Sequence, residues 1–228
     1  MDDRDLIARF AEAARVLRAE EDVQHTLHKA VTLALDMIPG CDHAGVSLVH
    51  RNQGIDTSAA TSEDVGRADA LQYELGEGPC LRAIWEDHTV ASRDVAEDER
   101  WPTWGTRVAQ VGMCSVLAFQ LFNHRDTLGA LNLYSARVDG FTDEDREEGS
   151  GLAAHVAVAL SASREVENLY VAVSRRTTIG RAEGILMERF DIGAEEAFAV
   201  LRRVSQDTNT KLYEVADQLV SSRKTPGT

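Results

Sequence analysis

Residues 177–190 read TTIGRAEGILMERF. Ile179, Ala182, Ile185, Leu186 and Phe190 recur at three- and four-residue spacing, which sets one apolar stripe on a helix. A second helix is expected from 194 to about 205, with Ala197, Phe198, Leu201 and Val204 sharing a face. A third is expected over 212–220, where Leu212, Val215, Ala216, Leu219 and Val220 follow an amphipathic template. Gly193 and the region 207–209 supply the breaks. Helices this short bury little alone, so they must pack on one another or on a partner.

The words in this stretch are more specific than its period. Arg181-Ala182-Glu183-Gly184-Ile185-Leu186-Met187-Glu188-Arg189, followed by Ala197-Phe198, Leu201-Arg202 and Glu214-Val215-Ala216, resembles the ANTAR domain. That family is the three-helix RNA-binding module of bacterial transcription antiterminators. The resemblance covers roughly residues 165–223, with Gly193 standing where a serine usually caps.

Net charge is −14, which by itself argues against a nucleic-acid partner. Its distribution alters that reading. Residues 170–228 hold nine Lys/Arg against eight Asp/Glu, and the remaining fifteen and thirty lie before them. The acidity therefore belongs to the first part, and a locally basic face on the last is permitted. Three cysteines without a CxxC motif fit free thiols in a reducing cytoplasm. No apolar run reaches the roughly eighteen residues of a spanning helix, and the acidic, amphipathic N-terminus is unlike a secretory signal. A cytoplasmic protein is expected.

Earlier in the chain, Leu6, Phe10, Ala13, Ala14 and Leu17 mark one helix. Residues 23–37 mark another, carrying Leu27, Ala30, Val31 and Ala34 on one side and closed by Pro39-Gly40. The period then falls to two. Ala44, Val46 and Leu48 define a strand, paired with 55–61 across Asn52-Gln53-Gly54. A helical piece around 69–73, a short helix over 81–85, and strands at 89–92, 115–122 and 128–134 complete an α+β order, the last two strands joined over 123–127.

Within it, Gly76-Glu77-Gly78-Pro79-Cys80, Asp94, Arg100-Trp101-Pro102, Ser115-Val116-Leu117 and Leu128-Gly129-Ala130-Leu131-Asn132-Leu133-Tyr134 look like a GAF domain, a PAS-like sensory fold. The resemblance covers roughly 20–163 and implies a central antiparallel sheet with helices on one face and a cavity on the other. It fixes no ligand and no cofactor. We place a candidate pocket at Gly78, Cys80, Met113, Ser115, Leu117 and Phe119, where strand residues alternate between core and cavity.

The expected organisation is an N-terminal helix (1–19), a GAF domain ending in a connecting helix (20–163), an all-α three-helix ANTAR domain (164–223) and a tail (224–228). Thr142, with acidic residues after it, caps the connecting helix. Leu152, Val156, Ala159, Ser163, Val166, Tyr170 and Val173 then alternate spacings of four and three. This stripe either packs on its own sheet or forms a parallel coiled coil. ANTAR-like proteins work as dimers, which favours a homodimer through Leu152, Val156, Ala159, Val166, Tyr170 and Val173.

The ANTAR resemblance implies hairpin-loop RNA in mRNA leaders as the partner. Basic residues there are Arg175, Arg176, Arg181, Arg189, Arg202, Arg203, Lys211, Arg223 and Lys224. Guanidinium groups bridge phosphates and stack on unpaired bases. The candidate RNA residues are Arg175, Arg176, Arg181, Arg189 and Lys211, with Asn209 and Thr210 to read base edges. Tyr213 is a candidate for stacking on a base or for the core, and Ala182 and Gly184 let RNA or a neighbouring helix approach closely.

Catalytic and metal sites are not expected: His43, His50, His88, His124 and His155 lack ligand spacing, and GxxxxGK[ST], GxGxxG and GxSxG are absent. The leading expectation is a regulator with a GAF sensor or dimerisation module and an RNA-binding output, not an enzyme. Two alternatives remain: a DNA-binding regulator, since three helices also make a helix-turn-helix, and a GAF-type methionine sulfoxide reductase using cysteines.

Overall fold

The computed structural model describes residues 3–20, 22–50, 54–124 and 126–222. Arg223, Lys224, the 224–228 tail and most of the Asn52-Gln53-Gly54 turn lie outside these residues. The chain divides into two compact units, Met1–Arg164 and Glu165–Thr228.

In the first unit, helices α1 (Asp3–Ala19) and α2 (Val23–Met37) precede a hairpin of β1 (His43–His50) and β2 (Gly54–Ala60). Then come α3 (Glu63–Leu75), α4 (Pro79–Trp85), β3 (Thr89–Ser92), α5 (Pro102–Ala109), β4 (Ser115–Phe122) and β5 (Thr127–Ser135). The five strands are ordered β2-β1-β5-β4-β3, every pairing antiparallel.

Strand alternation sorts side chains between two layers. Val46, Leu48, Leu117, Phe119, Leu131 and Leu133 join Ala13 and Leu17 of α1, Leu27 and Val31 of α2, and Leu152, Val156 and Leu160 in one apolar core. Val116, Ala118, Ala130 and Tyr134 face the opposite way, toward Val65, Cys80, Ile84, Trp104 and Val108 of α3, α4 and α5. Both faces of the sheet are thus covered by helices. The second layer is packed where the GAF resemblance implied a cavity.

Two helices exceed their expected form. α3 starts earlier because Ser62 caps it, its Oγ accepting from Val65 N at 3.4 Å, and it ends on Gly76 in a left-handed conformation (φ 68°). α5 has no counterpart in the sequence pattern: eight residues opened by Pro102, without a side-chain cap, give the helical period too little length to register. Its Trp104 is fully buried and donates Nε1–H to Ala68 O at 2.9 Å.

The helix expected at Thr142 runs as α6 (Asp143–Phe190), without interruption. Thr142 Oγ1 accepts from Asp145 N at 3.1 Å, while Asp145 Oδ2 accepts from Thr142 N at 2.7 Å. Asp145 Oδ1 also accepts from Gly40 N at 3.2 Å, tying the helix start to the α2–β1 turn. Gly149 and Gly151 leave notches in α6 for aromatic rings: a Cβ at either would stand 2.6 Å from Phe119 or Phe10. Farther along, Ser163 Oγ meets Thr26 Oγ1 of α2 at 3.0 Å.

In the second unit, the remainder of α6 is followed by α7 (Ala194–Thr208) and α8 (Leu212–Ser221). Ala182, Leu186, Ala197, Leu201, Val215 and Ala216 form its small core, drawn from the apolar stripes of all three helices. Phe190, Phe198 and Val204, expected on the same stripes, remain exposed. Gly193 supplies half a capping box, its N–H donating to Glu196 Oε2 at 3.1 Å.

Candidate functional site

The α7–α8 connection is a short, tightly tied turn. Asn209 takes a left-handed conformation (φ 50°) that ends α7, and its N–H donates to Gln206 O at 3.3 Å. Thr210 N donates to Ser205 O at 3.1 Å, and Ser205 Oγ returns a bond to Thr210 O at 2.6 Å. Lys211 caps α8 through its backbone and makes no side-chain cap bond, so its ammonium stays exposed. Beside this turn, the Arg175 guanidinium of α6 lies 4.4 Å from the centroid of the Tyr213 ring. Arg175, Asn209, Thr210, Lys211 and Tyr213 therefore gather at one end of the three-helix unit.

The other candidates do not join them. Arg189 is fourteen residues beyond Arg175, about 21 Å along the helix axis. Arg176 and Arg181 are both exposed but five residues apart, roughly 140° around α6. Ala182 is fully buried in the three-helix core, so its small side chain serves helix packing, not contact with RNA. Gly184 is exposed, with nothing within 4 Å of where a Cβ would stand.

The stripe on α6 also divides. Leu152, Val156 and Ala159 are buried in the first unit's own core and present no surface to a partner. Tyr170 and Val173 are 73% and 63% exposed, with Val166 and Leu169 exposed on the same side.

Inside the first unit, the candidate pocket residues divide between the two layers, Met113 and Cys80 lying outside the strands. Met113 and Cys80 sit in the layer under α3–α5, whereas Leu117 and Phe119 belong to the opposite core. Ser115 and Leu117 line a small cavity of about 60 Å³ shared with Arg93, Phe141 and Arg146. A larger open depression, about 390 Å³, lies against Val49, Ile55, Tyr73, Leu81 and Trp85. Gly78 has φ 139° and opens α4, where Cys80 N donates to Gln72 Oε1 at 2.8 Å.

Periodicity and motif leave unmarked the polar cluster at the centre of this layer. Asp69 of α3 is fully buried, and its Oδ1 accepts from Tyr134 Oη at 2.5 Å, Asn132 Nδ2 at 3.2 Å and Gln72 Nε2 at 3.2 Å. Thr57 Oγ1 donates to Asp69 Oδ2 at 3.2 Å. Ser47 Oγ takes bonds from Tyr73 Oη at 2.6 Å, Asn132 Nδ2 at 3.1 Å and Cys80 Sγ at 3.2 Å. Burial pushes the Asp69 carboxyl up to about 6, with the four donors pulling the other way. One signal for it does stand in the sequence: Ser47 and Asn132 interrupt otherwise apolar strands at positions facing the same layer.

Burial likewise pushes the Cys41 and Cys80 thiols up to about 12, which leaves them protonated and weakly nucleophilic at neutral pH. Cys41 belongs to one core and Cys80 to the other, on opposite faces of the sheet. Among the described residues no His, Cys, Asp and Glu group is arranged to hold a metal, and no helix is long and apolar enough to cross a membrane.

Comparison with known proteins gives these units their families. A GAF domain model matches residues 20–161. The chain belongs to the GAF family. An ANTAR domain model matches residues 167–220, so the order is GAF then ANTAR. The GAF domain of an Acinetobacter phosphoenolpyruvate-protein phosphotransferase is similar in fold, with 16% identity and a TM-score of 0.57 over 74% of this chain and 99% of that one. The corresponding domain from Coxiella burnetii shows 13% identity and a TM-score of 0.59, covering 72% and 98%. A free methionine-R-sulfoxide reductase from Neisseria meningitidis, solved with its substrate, shows 18% identity and a TM-score of 0.54, covering 72% and 95%. These likenesses establish the GAF fold and nothing finer. No curated protein matches the chain.

Proposed function

We propose that this GAF–ANTAR protein is a regulator of the antitermination type, which binds hairpin-loop RNA in mRNA leaders through its ANTAR domain. The observation that carries the reading is the gathering of Arg175, Asn209, Lys211 and Tyr213 around one hydrogen-bonded turn. Two cations suit phosphates, an exposed amide suits base edges, and an aromatic–guanidinium pair suits unpaired bases. The protein acts as a homodimer. Its interface begins at Val166 and continues through Tyr170 and Val173, because the earlier part of the stripe is already occupied by the GAF core. Two linked RNA-binding heads then reinforce one another through effective concentration.

The GAF domain serves as sensor or dimerisation module, not as an enzyme. Its two most buried cysteines are held as thiols on opposite faces of the sheet, an arrangement unsuited to a nucleophile and its resolver. Selection from a pool of random-loop RNA hairpins by the full-length protein tests the proposal, with duplex DNA as competitor. Enrichment of particular loops that survives excess duplex DNA is expected. Binding displaced equally by duplex DNA would assign the heads to a DNA-binding regulator.

A further inference from the structure

Arg175 is held in an unusual way for an exposed basic residue. Arg203, on α7, reaches Asp207 one turn away at 3.8 Å, an ordinary solvated pair. Arg175 instead lies over an aromatic ring, 4.4 Å from the Tyr213 centroid, and among the described residues no carboxylate pairs with it. The ring beneath it is fixed in turn. Tyr213 is half-buried at the start of α8, and its phenol donates to Glu214 Oε1 at 3.0 Å. The turn before it is tied by the Ser205–Thr210 bonds. A fixed ring therefore covers one side of the guanidinium, while the exposed side of Arg175 keeps its donors free.

We infer that Arg175 and Tyr213 form a two-layer platform on which one unpaired base stacks, with the guanidinium as the contact layer and the ring as its support. Tyr213 is thus a positioning residue rather than the surface that meets the base. Guanidinium groups accept a base on their π face and donate in-plane at the same time, so the stacked nucleotide's phosphate remains within their reach. Holding the guanidinium over the ring before RNA arrives reduces the side-chain ordering that binding must supply. Lys211, at the adjacent cap, stands ready for a neighbouring phosphate as a point charge.

The inference rests on the RNA-binding reading above, and one experiment separates the two. The probe is a hairpin enriched from the random-loop pool by the full-length protein, carrying 2-aminopurine at one loop position at a time. In the wild type, one position should change its emission on binding. Arg175→Lys keeps the charge and loses the planar group, so affinity should fall roughly tenfold while the salt slope stays unchanged. Tyr213→Leu should lose a similar amount, Tyr213→Phe should recover most of it, and Arg175→Lys with Tyr213→Leu should lose little more than either alone. Arg175→Lys is exposed and does not test the fold, so it decides the matter even if Tyr213→Leu unfolds α8. Wild-type affinity and an unchanged emission signal in Arg175→Lys would overturn the platform while leaving RNA binding intact. Failure to enrich any hairpin would overturn the RNA reading and the platform with it.

Discussion

Tyr134 of β5 donates its phenol proton to Asp69 of α3 at 2.5 Å, joining the central sheet to the helix layer through a carboxyl group that water does not reach. Among the described residues no cation hydrogen-bonds to this carboxyl; the partners there are Tyr134, Asn132, Gln72 and Thr57. Taking an ionised carboxylate out of water is costly even with several neutral donors.

A pH dependence follows, with a definite sign. The folded Asp69 titrates near 6 against an ordinary 3.8, so its contribution to stability is fully present below 3.8 and is lost as pH rises through about 6. Its size is on the order of 3 kcal/mol at most, at about 1.4 kcal/mol for each tenfold change in proton affinity. Urea unfolding of wild type and Asp69→Asn from pH 4.5 to 7.5 measures it. The wild type should lose stability relative to the variant across that interval. Parallel stability curves would show that the carboxyl titrates alike in the folded and unfolded chains.

Gly151 and Phe10 provide a second test, of how α1 is held. A Cβ on Gly151 would lie 2.6 Å from the Phe10 ring, so Gly151→Ala must push α1 or its ring outward. Overpacking of this kind costs about 1–3 kcal/mol, against up to roughly 1 kcal/mol gained in helix propensity. In a Phe10→Ala background the obstacle is gone, and the same substitution should become neutral or stabilising. Thermal unfolding of the four chains reads the coupling; additivity would mean that the ring does not occupy the notch.

For the dimer, Val166→Asp with Val173→Asp should give folded monomers with weaker RNA binding. Leu152→Asp should instead destabilise the GAF core, by several kcal/mol for a buried unpaired charge. Sedimentation and circular dichroism separate these outcomes. An unchanged dimer in the Val166, Val173 variant would move the interface elsewhere.

These contrasts also show what was legible in the sequence. α2, β3 and β4 coincide with their expected spans because period and punctuation agree there: Asp22 caps α2, and turns bound the strands. The three ANTAR helices were readable from their stripes for the same reason. Periodicity could not decide what covers a stripe, since Leu152 and Val173 have equivalent positions in the repeat yet one is buried and the other exposed. Nor could it assemble Asp69, Ser47, Asn132 and Tyr134, which are dispersed along the chain and meet only through sheet register and helix packing. Composition could not rank the basic candidates either; the turn at Asn209 and the ring of Tyr213 single out Arg175 among them.

The salt dependence of RNA affinity distinguishes the roles of the basic residues. Log affinity should fall linearly with log salt, at a slope of about −0.7 per phosphate neutralised on a single-stranded segment. Lys211→Ala should make that slope shallower, whereas Arg181→Ala and Arg189→Ala, away from the turn, should change affinity less than Arg175→Ala does. Titrations of one enriched hairpin at several salt concentrations provide the comparison. Equal losses at Arg181 and Arg175 would spread the interface over the whole helix.

Cross-linking the intact protein to RNA in cells, then sequencing the RNA and mapping the cross-linked peptides, tests the central claim most directly. The expected result is mRNA leaders with hairpin loops, and cross-links concentrated at Arg175 and residues 209–213. Recovery of no RNA above background, or cross-links confined to the GAF domain, would contradict it.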